Sequence, residues 1–228
     1  MTDRSLAQLR TELEQLHWER QLEVREKWNR SLPFGDGFVD RWERARVLGF
    51  GDGASIYDSA VVLGDVKVGE QTWIGPSTLL DGSGGLTIGS YCSISAGVQI
   101  YTHDSVKWAL SGGAAEYERA PVSIGSNTYI GPMTIVSKGV RIGSHCLVGA
   151  NSVVNKDLPD YSIAYGTTCR VVGKVRVSGK NVELVYDETD RSEVGGAAAD
   201  RSRLRLQVGE ALELRFRADA EYSPRLAH

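Results

Sequence analysis

Aliphatic residues return every six positions between Ile56 and Val154, and this spacing is the strongest pattern in the chain. An α-helix has a period of 3.6 residues and a single strand a period of 2, whereas a coil of short strands joined by regular corners produces a longer repeat. Glycine follows many of these aliphatic residues directly, as expected where a tight corner leaves no room for a Cβ atom. The pattern therefore predicts an all-β solenoid in which stacked coils share one aliphatic core. The repeating positions are Ile56, Val62, Val68, Ile74, Leu80, Ile88, Ile94, Ile100, Ile124, Ile130, Val136, Ile142, Val148 and Val154.

Two interruptions break the six-residue phase. Leu80 and Ile88 are eight positions apart, which predicts a small bulged corner at residues 81–85. Ile100 and Ile124 are twenty-four positions apart, and no aliphatic repeat continues between them. Excursions from a rigid scaffold often carry binding and catalytic groups. The excursion loop, residues 101–123, is therefore the first place to expect chemistry.

The segment before the solenoid predicts a helix with a short apolar seam. Leu6, Leu9, Leu13 and Leu16 alternate at three and four positions, within a segment rich in charged residues. The seam covers only about two heptads, so we expect this helix to pack against the solenoid rather than form an autonomous coiled coil.

The segment after the solenoid alternates apolar and polar residues instead. Residues 174–177 and 182–185 predict one β-hairpin, and residues 204–208 and 212–216 predict a second. The expected domains are an N-terminal helix at 1–32, the solenoid with its loop at 33–173, and a C-terminal β-hairpin extension and tail at 174–228.

Composition excludes several classes of protein. The formal net charge of −3 gives no support for a nucleic-acid partner. No apolar run is long enough to span a membrane, and the N-terminal residues lack the apolar core typical of a signal peptide, so a cytoplasmic location is expected. Three cysteines, an odd number, argue against a disulfide framework. Cys92 and Cys146 each precede an aliphatic position by two residues, which predicts packing roles.

The solenoid with its histidine-bearing loop resembles the hexapeptide-repeat acyltransferases, in the branch of galactoside, maltose and xenobiotic acetyltransferases and sugar O- and N-acyltransferases. The likeness covers residues 60–175 and rests on three ordered segments. Residues 88–98 resemble the coil before the family's active-site loop, residues 122–131 its re-entry segment, and residues 148–159 its closing coil.

This resemblance implies a left-handed parallel β-helix and a homotrimer with active sites between subunits. The reaction it implies is transfer of an acyl group, expected to be acetyl, from acyl-CoA to a hydroxyl or amine. The expected acceptor is a sugar, with nucleotide-linked amino sugars included.

By position, His103 matches the family's catalytic histidine. Attack on a thioester requires removal of the acceptor's proton near neutral pH, and imidazole has a suitable basicity. An acid at the other ring nitrogen would fix the tautomer. Glu116 resembles the family's glutamate upstream of the loop exit and is predicted to do this, with Asp104 as the competitor by adjacency.

Coenzyme A requires cations for its phosphates and small residues along its pantetheine arm. A backbone amide near the turn at Ile130 and Gly131 is expected to stabilise the oxyanion. The residues that the resemblance assigns to coenzyme A are Tyr129, Gly131, Gly149, Ala150, Ser152, Lys156 and Arg170.

Four residues are predicted to contact the acceptor: Ser77, Asp81, Asp104 and Trp108. Ser77 stands where some relatives carry an asparagine facing the acceptor, and this departure leaves the acceptor's identity open. Trp108 could stack on a sugar face, or it could pack the loop onto a neighbouring subunit.

Two other functions fit the same fold. A trimeric scaffold or binding protein could keep the solenoid without its chemistry. The γ-type carbonic anhydrases use three histidines around zinc, whereas only His103 and His145 fall within this solenoid, so no metal is expected.

Overall fold

A β-solenoid follows three helices and is interrupted by a fourth in residues 5–187, the part of the chain that the computed structural model describes. The helices are α1 (Leu6–Trp28), α2 (Phe34–Phe38), α3 (Arg41–Val47) and α4 (Val106–Leu110). The strands are β1 (Ser55–Ile56), β2 (Val61–Val68), β3 (Trp73–Ile74), β4 (Leu79–Ile88), β5 (Ser93–Ile94), β6 (Gln99–Ile100), β7 (His103–Asp104), β8 (Glu118–Arg119), β9 (Val122–Ile124), β10 (Tyr129–Ile130), β11 (Ile135–Val136), β12 (Arg141–Ile142), β13 (Leu147–Val148), β14 (Val153–Val154), β15 (Ser162–Tyr165), β16 (Arg170–Ser178) and β17 (Asn181–Tyr186).

Parallel strands stack in register on three faces of a left-handed β-helix, as predicted. The first face runs through β1, β3, β5, β10, β13 and β15. The second and third faces are joined because β2 and β4 each continue from one to the other. Aliphatic residues of the six-residue repeat pair from coil to coil, for example Ile74 with Ile94 and Ile94 with Ile130. All three are fully buried, so the repeat forms the core.

The turns between the faces stack into three corners. The first corner follows the first face, the second corner follows the second face, and the third corner leads back to the first. In the fourth coil, residues 129–142, the first two corners are residues 131–134 and 137–140. The second coil spans residues 73–88, and the third coil spans residues 93–124 and contains the excursion loop.

Close approach between coils explains the glycines of the repeat. A Cβ atom on Gly125 would lie 2.5 Å from the backbone nitrogen of Ser144 in the next coil. Small buried residues complete the corners. Cys92 and Cys146 are among them, as predicted, and burial raises the pKa of both thiols.

The predicted bulge at residues 81–85 is present between β2 and β4. Gly64 pairs with Gly82, and the next pair is Val66 with Leu86. A single residue of the first coil, Asp65, therefore lies opposite three residues of the second. The two extra residues account for the eight-residue spacing.

The expectation that α1 packs its leucine seam against the solenoid is wrong. Leu6, Leu9, Leu13 and Leu16 are exposed, and Val24 is the buried residue of this helix. Two hydrogen bonds, from Arg20 Nε to Gly37 O at 2.7 Å and from Gln21 Nε2 to Leu32 O at 2.5 Å, attach the C-terminal half of α1 to the chain that follows. Heptad spacing identifies an apolar face but not the surface that covers it.

An antiparallel hairpin extends the first face at the C-terminal end. β15 pairs with β16, and β16 pairs with β17, with Lys174 opposite Val185. This confirms the first predicted hairpin, whereas the second, at 204–216, lies outside the described residues. The domain boundaries after residues 32 and 173 stay predictions. None of the helices between residues 5 and 187 has the length and apolar character of a membrane span.

Candidate functional site

His103 and Asp81 form a hydrogen-bonded pair at the second corner. His103 follows the corner where the third coil leaves the solenoid, and Asp81 occupies the same corner of the second coil. Asp81 Oδ2 lies 2.6 Å from His103 Nδ1 and also accepts from Thr102 N at 2.8 Å. Asp81 Oδ1 accepts from Ser83 N at 2.9 Å. The carboxylate therefore receives both backbone and imidazole hydrogen bonds.

The bulge brings this corner close to the base of the loop. Gly84 N donates to Thr102 Oγ1 at 2.7 Å, and a Cβ on Gly84 would lie 2.5 Å from Thr102 O. Leu63, which pairs with Asp81 one coil earlier, is exposed, whereas Asp81 is fully buried. The third coil leaves the solenoid at Thr102 and there covers Asp81.

Asp81 is expected to remain ionised at neutral pH. Burial raises the pKa of its carboxyl, but hydrogen bonds from Ser83, Thr102 and His103 lower it further, so the net pKa is well below the usual range. An ionised acceptor at Nδ1 favours the tautomer with the proton on that nitrogen and leaves Nε2 as the base. The His103 side chain is 31% exposed, so the imidazole is accessible from solvent.

This geometry corrects two predictions. The acid at His103 Nδ1 is Asp81, whereas Glu116, predicted for that place, is exposed in the loop. Asp81 was expected to face the acceptor, but its side chain is fully buried and engaged by three donors. Neighbours one coil apart are distant in sequence, which is why adjacency and loop position gave the wrong acid.

An aromatic row lies beside the imidazole. Tyr117 stacks on His103 with ring centroids 6.3 Å apart and an angle of 16° between the planes. Trp108 meets Tyr117 edge-on at 5.6 Å. Both Trp108 and Tyr117 are exposed on their other sides and can offer a flat apolar wall to a ligand. Sequence reasoning assigned no role to Tyr117, although it is an aromatic residue between two glutamates in the loop.

Four charged side chains form a cluster of ion pairs at the base of the loop. Lys138 Nζ lies 2.9 Å from Glu118 Oε2 and 3.1 Å from Asp104 Oδ2, and Lys107 pairs with the other oxygen of Glu118. Hydrogen bonds from Lys107 and then Lys138 lower the pKa of Glu118 to about 2. The pKa of Asp104 is lowered by a hydrogen bond from Val106 N and by Lys138. Asp104, predicted to contact the acceptor or to orient His103, thus has its carboxylate directed to Lys138.

The residues predicted for the pantetheine arm lie mostly at the first corner. Ala150 is exposed there, and a Cβ on Gly131 would lie 2.5 Å from its backbone nitrogen. The Gly131 amide, expected near the oxyanion, instead donates to Val148 O at 2.8 Å. Ser152, predicted to contact coenzyme A, is fully buried, and its hydroxyl donates to Gly149 O at 2.8 Å. The hydroxyl therefore bonds within the corner itself, and a ligand at the surface cannot reach it.

Within one chain, the predicted cofactor residues do not surround His103. Tyr129 is half-buried on the first face, and Lys156 is exposed at the second corner of the fifth coil. Arg170 is exposed at the start of β16. Ser77 is exposed at the first corner of the second coil, with a backbone φ of 56°. The second face separates the first corner from the corner that carries His103.

No group of three or more His, Cys, Asp and Glu side chains within residues 5–187 is arranged to hold a metal ion. The polar chemistry of the second corner consists of the His103–Asp81 pair and the neighbouring ion pairs.

Comparison with known sequences gives matches that cover part of the chain. The family model described as "Bacterial transferase hexapeptide (six repeats)" matches residues 121–156. An acetyltransferase-like protein of Staphylococcus aureus is 46% identical over 74 residues, which are 32% of this chain and 37% of that protein. The galactoside O-acetyltransferase of Escherichia coli is 28% identical over 134 residues, 50% of this chain and 66% of the relative. The chain thus spans little more than a third of the Staphylococcus aureus relatives.

A solved structure shares the fold. The crystal structure of a variant of AntD, an N-acyltransferase from Bacillus cereus in complex with dTDP and coenzyme A, is 21% identical. The likeness covers 61% of this chain and 92% of that one, with a TM-score of 0.50.

Proposed function

We propose that this chain, whose solenoid is that of the hexapeptide-repeat acyltransferases, transfers an acyl group from acyl-CoA to a hydroxyl or amine of a sugar. The acyl group is acetyl, and nucleotide-linked amino sugars belong to the acceptor class. The proposal is supported by the sequence likeness to the galactoside O-acetyltransferase of Escherichia coli and by the His103–Asp81 pair.

The pair carries the proposal because it supplies the one group that direct acyl transfer requires. His103 Nε2 takes the proton from the acceptor's hydroxyl or amine as its oxygen or nitrogen attacks the thioester carbonyl. The C–S bond then breaks, and the imidazolium returns the proton to the departing sulfur. Asp81 stabilises the imidazolium between these steps because its carboxylate stays ionised at Nδ1. No enzyme nucleophile is required.

The active site would combine residues of two subunits. Gly131, Gly149 and Ala150 at the first corner can accommodate the narrow pantetheine arm of coenzyme A, beside Tyr129. The exposed cations Lys156 and Arg170 suit its phosphates. Because the second face separates the first corner from His103 in one chain, we propose that a neighbouring subunit supplies one of the two, in a homotrimer.

The reaction is tested by acyl-CoA consumption. Purified protein is incubated with acetyl-CoA and a panel of sugars, nucleotide-linked amino sugars and non-sugar alcohols, and thiol release is followed. We expect release that depends on one class of sugar acceptor. No release with any acceptor, together with no binding of coenzyme A by calorimetry, would favour the scaffold function instead.

The shared site is tested by mixing subunits. His103→Ala removes the base, and Ala150→Trp fills the exposed first corner. Each variant alone is expected to be nearly inactive. After unfolding and refolding together in equal amounts, about a quarter of the sites would combine an intact His103 from one chain with an intact Ala150 from its neighbour. Recovery of activity in the mixture supports the shared site. A mixture as inactive as its two components would place the whole site in one chain.

A further inference from the structure

The excursion loop is fixed to the solenoid from both sides. On one side, Asp81 of the second coil binds Thr102 and His103 at the start of the loop. On the other side, the fourth coil presents Lys138, whose ammonium lies between the carboxylates of Asp104 and Glu118. The loop leaves the third coil and is thus held by the second coil on one side and the fourth coil on the other.

Lys138 contacts both ends of the loop at once. Asp104 follows His103 in β7, and Glu118 is its pairing partner in β8, where His103 also pairs with Arg119. The ammonium therefore joins two antiparallel strands at the residue next to the imidazole. Lys107, from the first turn of α4, adds a second cation to Glu118. The two lysines neutralise the two carboxylates in this cluster.

The turn that carries Lys138 is anchored to the core of the solenoid. Val136 and Val140, on either side, are buried in the core. Ser137 N donates to Val154 O at 2.9 Å, which ties the turn to the fifth coil. A Cβ on Gly139 would lie 3.4 Å from Ala120 Cβ, so the same turn approaches the C-terminal end of the loop. The Lys138 side chain is 26% exposed, which limits the motion of its charged end.

We propose that Lys138 is a positioning residue: it ties both strands at the base of the loop to the fourth coil and thereby holds His103 against Asp81. This inference rests on the proposed function of the same site. The ammonium of Lys138 pairs with Asp104 and Glu118 and has no step of its own in the proposed reaction. Its effect on the reaction passes through Asp104 and Glu118.

The test replaces Lys138 with methionine, which keeps the chain's length and removes the charge. Hydrogen exchange measured by mass spectrometry is expected to rise at least several-fold in peptides spanning residues 102–120 and to stay unchanged in peptides spanning residues 129–154. kcat is expected to fall about tenfold, with the KM for acyl-CoA little changed, because the base is displaced while the cofactor surface is retained. Lys138→Arg, which can still pair with both carboxylates, should restore both readouts.

Lys67→Met is the matched control, since Lys67 is an exposed lysine of the first coil whose ion-pair partner is Asp65. It should change neither exchange nor kcat. Unchanged loop exchange in Lys138→Met would overturn the inference, and so would faster loop exchange with an unaltered kcat. If the wild-type protein transfers no acyl group, the proposed function fails by itself. Loss of the protected imidazole N–H signal of His103 in the NMR spectrum of Lys138→Met would still support the positioning role, and its persistence would overturn it.

Discussion

His103→Ala is expected to lower kcat for acyl transfer by about 10²- to 10⁴-fold, the range typical of a lost general base. Alanine removes the imidazole, and the neighbouring acids are engaged elsewhere: Asp81 is fully buried, and Asp104 and Glu118 are paired with lysines. Affinity for coenzyme A should change little because the residues proposed to hold it lie elsewhere on the solenoid. Steady-state kinetics give kcat, and calorimetry with coenzyme A gives the affinity.

His145→Ala is the control for this experiment. His145 lies at the third corner, where its ring stacks on Tyr161 with centroids 4.7 Å apart. It has no place in the proposed mechanism, and the variant should keep wild-type kcat. A loss below tenfold in His103→Ala would mean that the proton leaves by another route. An equal loss in both variants would point to a general effect on folding.

The fold could be predicted from the sequence because the six-residue repeat is a direct record of which side chains face inward. Ile74, Ile94 and Ile130 are all fully buried and in register. Glycines that directly follow other aliphatic positions of the repeat mark the close approaches of neighbouring coils, as Gly125 does after Ile124. The family-model match and the sequence relatives confirm the likeness to hexapeptide-repeat acyltransferases. The exposure of the α1 leucines could not be predicted, because heptad spacing identifies an apolar face but not the surface that packs against it.

The candidate site could be predicted from the sequence only in part. His103 could be found because it interrupts the repeat within a recognisable loop. Its partner Asp81 could not be identified, since the contact depends on the two-residue bulge that brings residues 81–85 against Thr102. Lys138 was not predicted either, because it reaches the loop from the next coil. In a solenoid, polar partners are separated by about one coil of sequence, so nearness along the chain is a poor guide to them.

Asp81→Asn is expected to lower kcat by about 10²-fold or more while His103 remains in place. The carboxylate accepts from Ser83 N–H, Thr102 N–H and the imidazole at Nδ1. An amide offers one acceptor oxygen and one donor NH₂, so either orientation sets a donor against a donor. If the NH₂ faces the imidazole, Nδ1 must accept and the proton moves to Nε2, which can then no longer act as a base.

The same substitution should reduce the free energy of unfolding by about 1–3 kcal/mol, because it leaves a buried donor without its acceptor. The native pKa of Asp81 is lowered, so its carboxylate stabilises the fold above the ordinary pKa of aspartate, about 4, and loses this effect as the pH falls towards the native value. The stability difference between wild type and variant should therefore be largest near neutral pH and shrink in acid. Urea unfolding at several pH values measures it.

Asp65→Asn is the matched control, because Asp65 is an exposed aspartate of the first coil, opposite the bulge. It should leave both kcat and stability close to wild type. Comparison with Glu116→Gln separates the two acids considered for His103. If Asp81 orients the base, the loss in Asp81→Asn exceeds that in Glu116→Gln. A larger loss in Glu116→Gln would mean that the loop rearranges when substrate binds. Asp81 would then serve to hold Thr102 at the start of the loop rather than to fix the tautomer of the base.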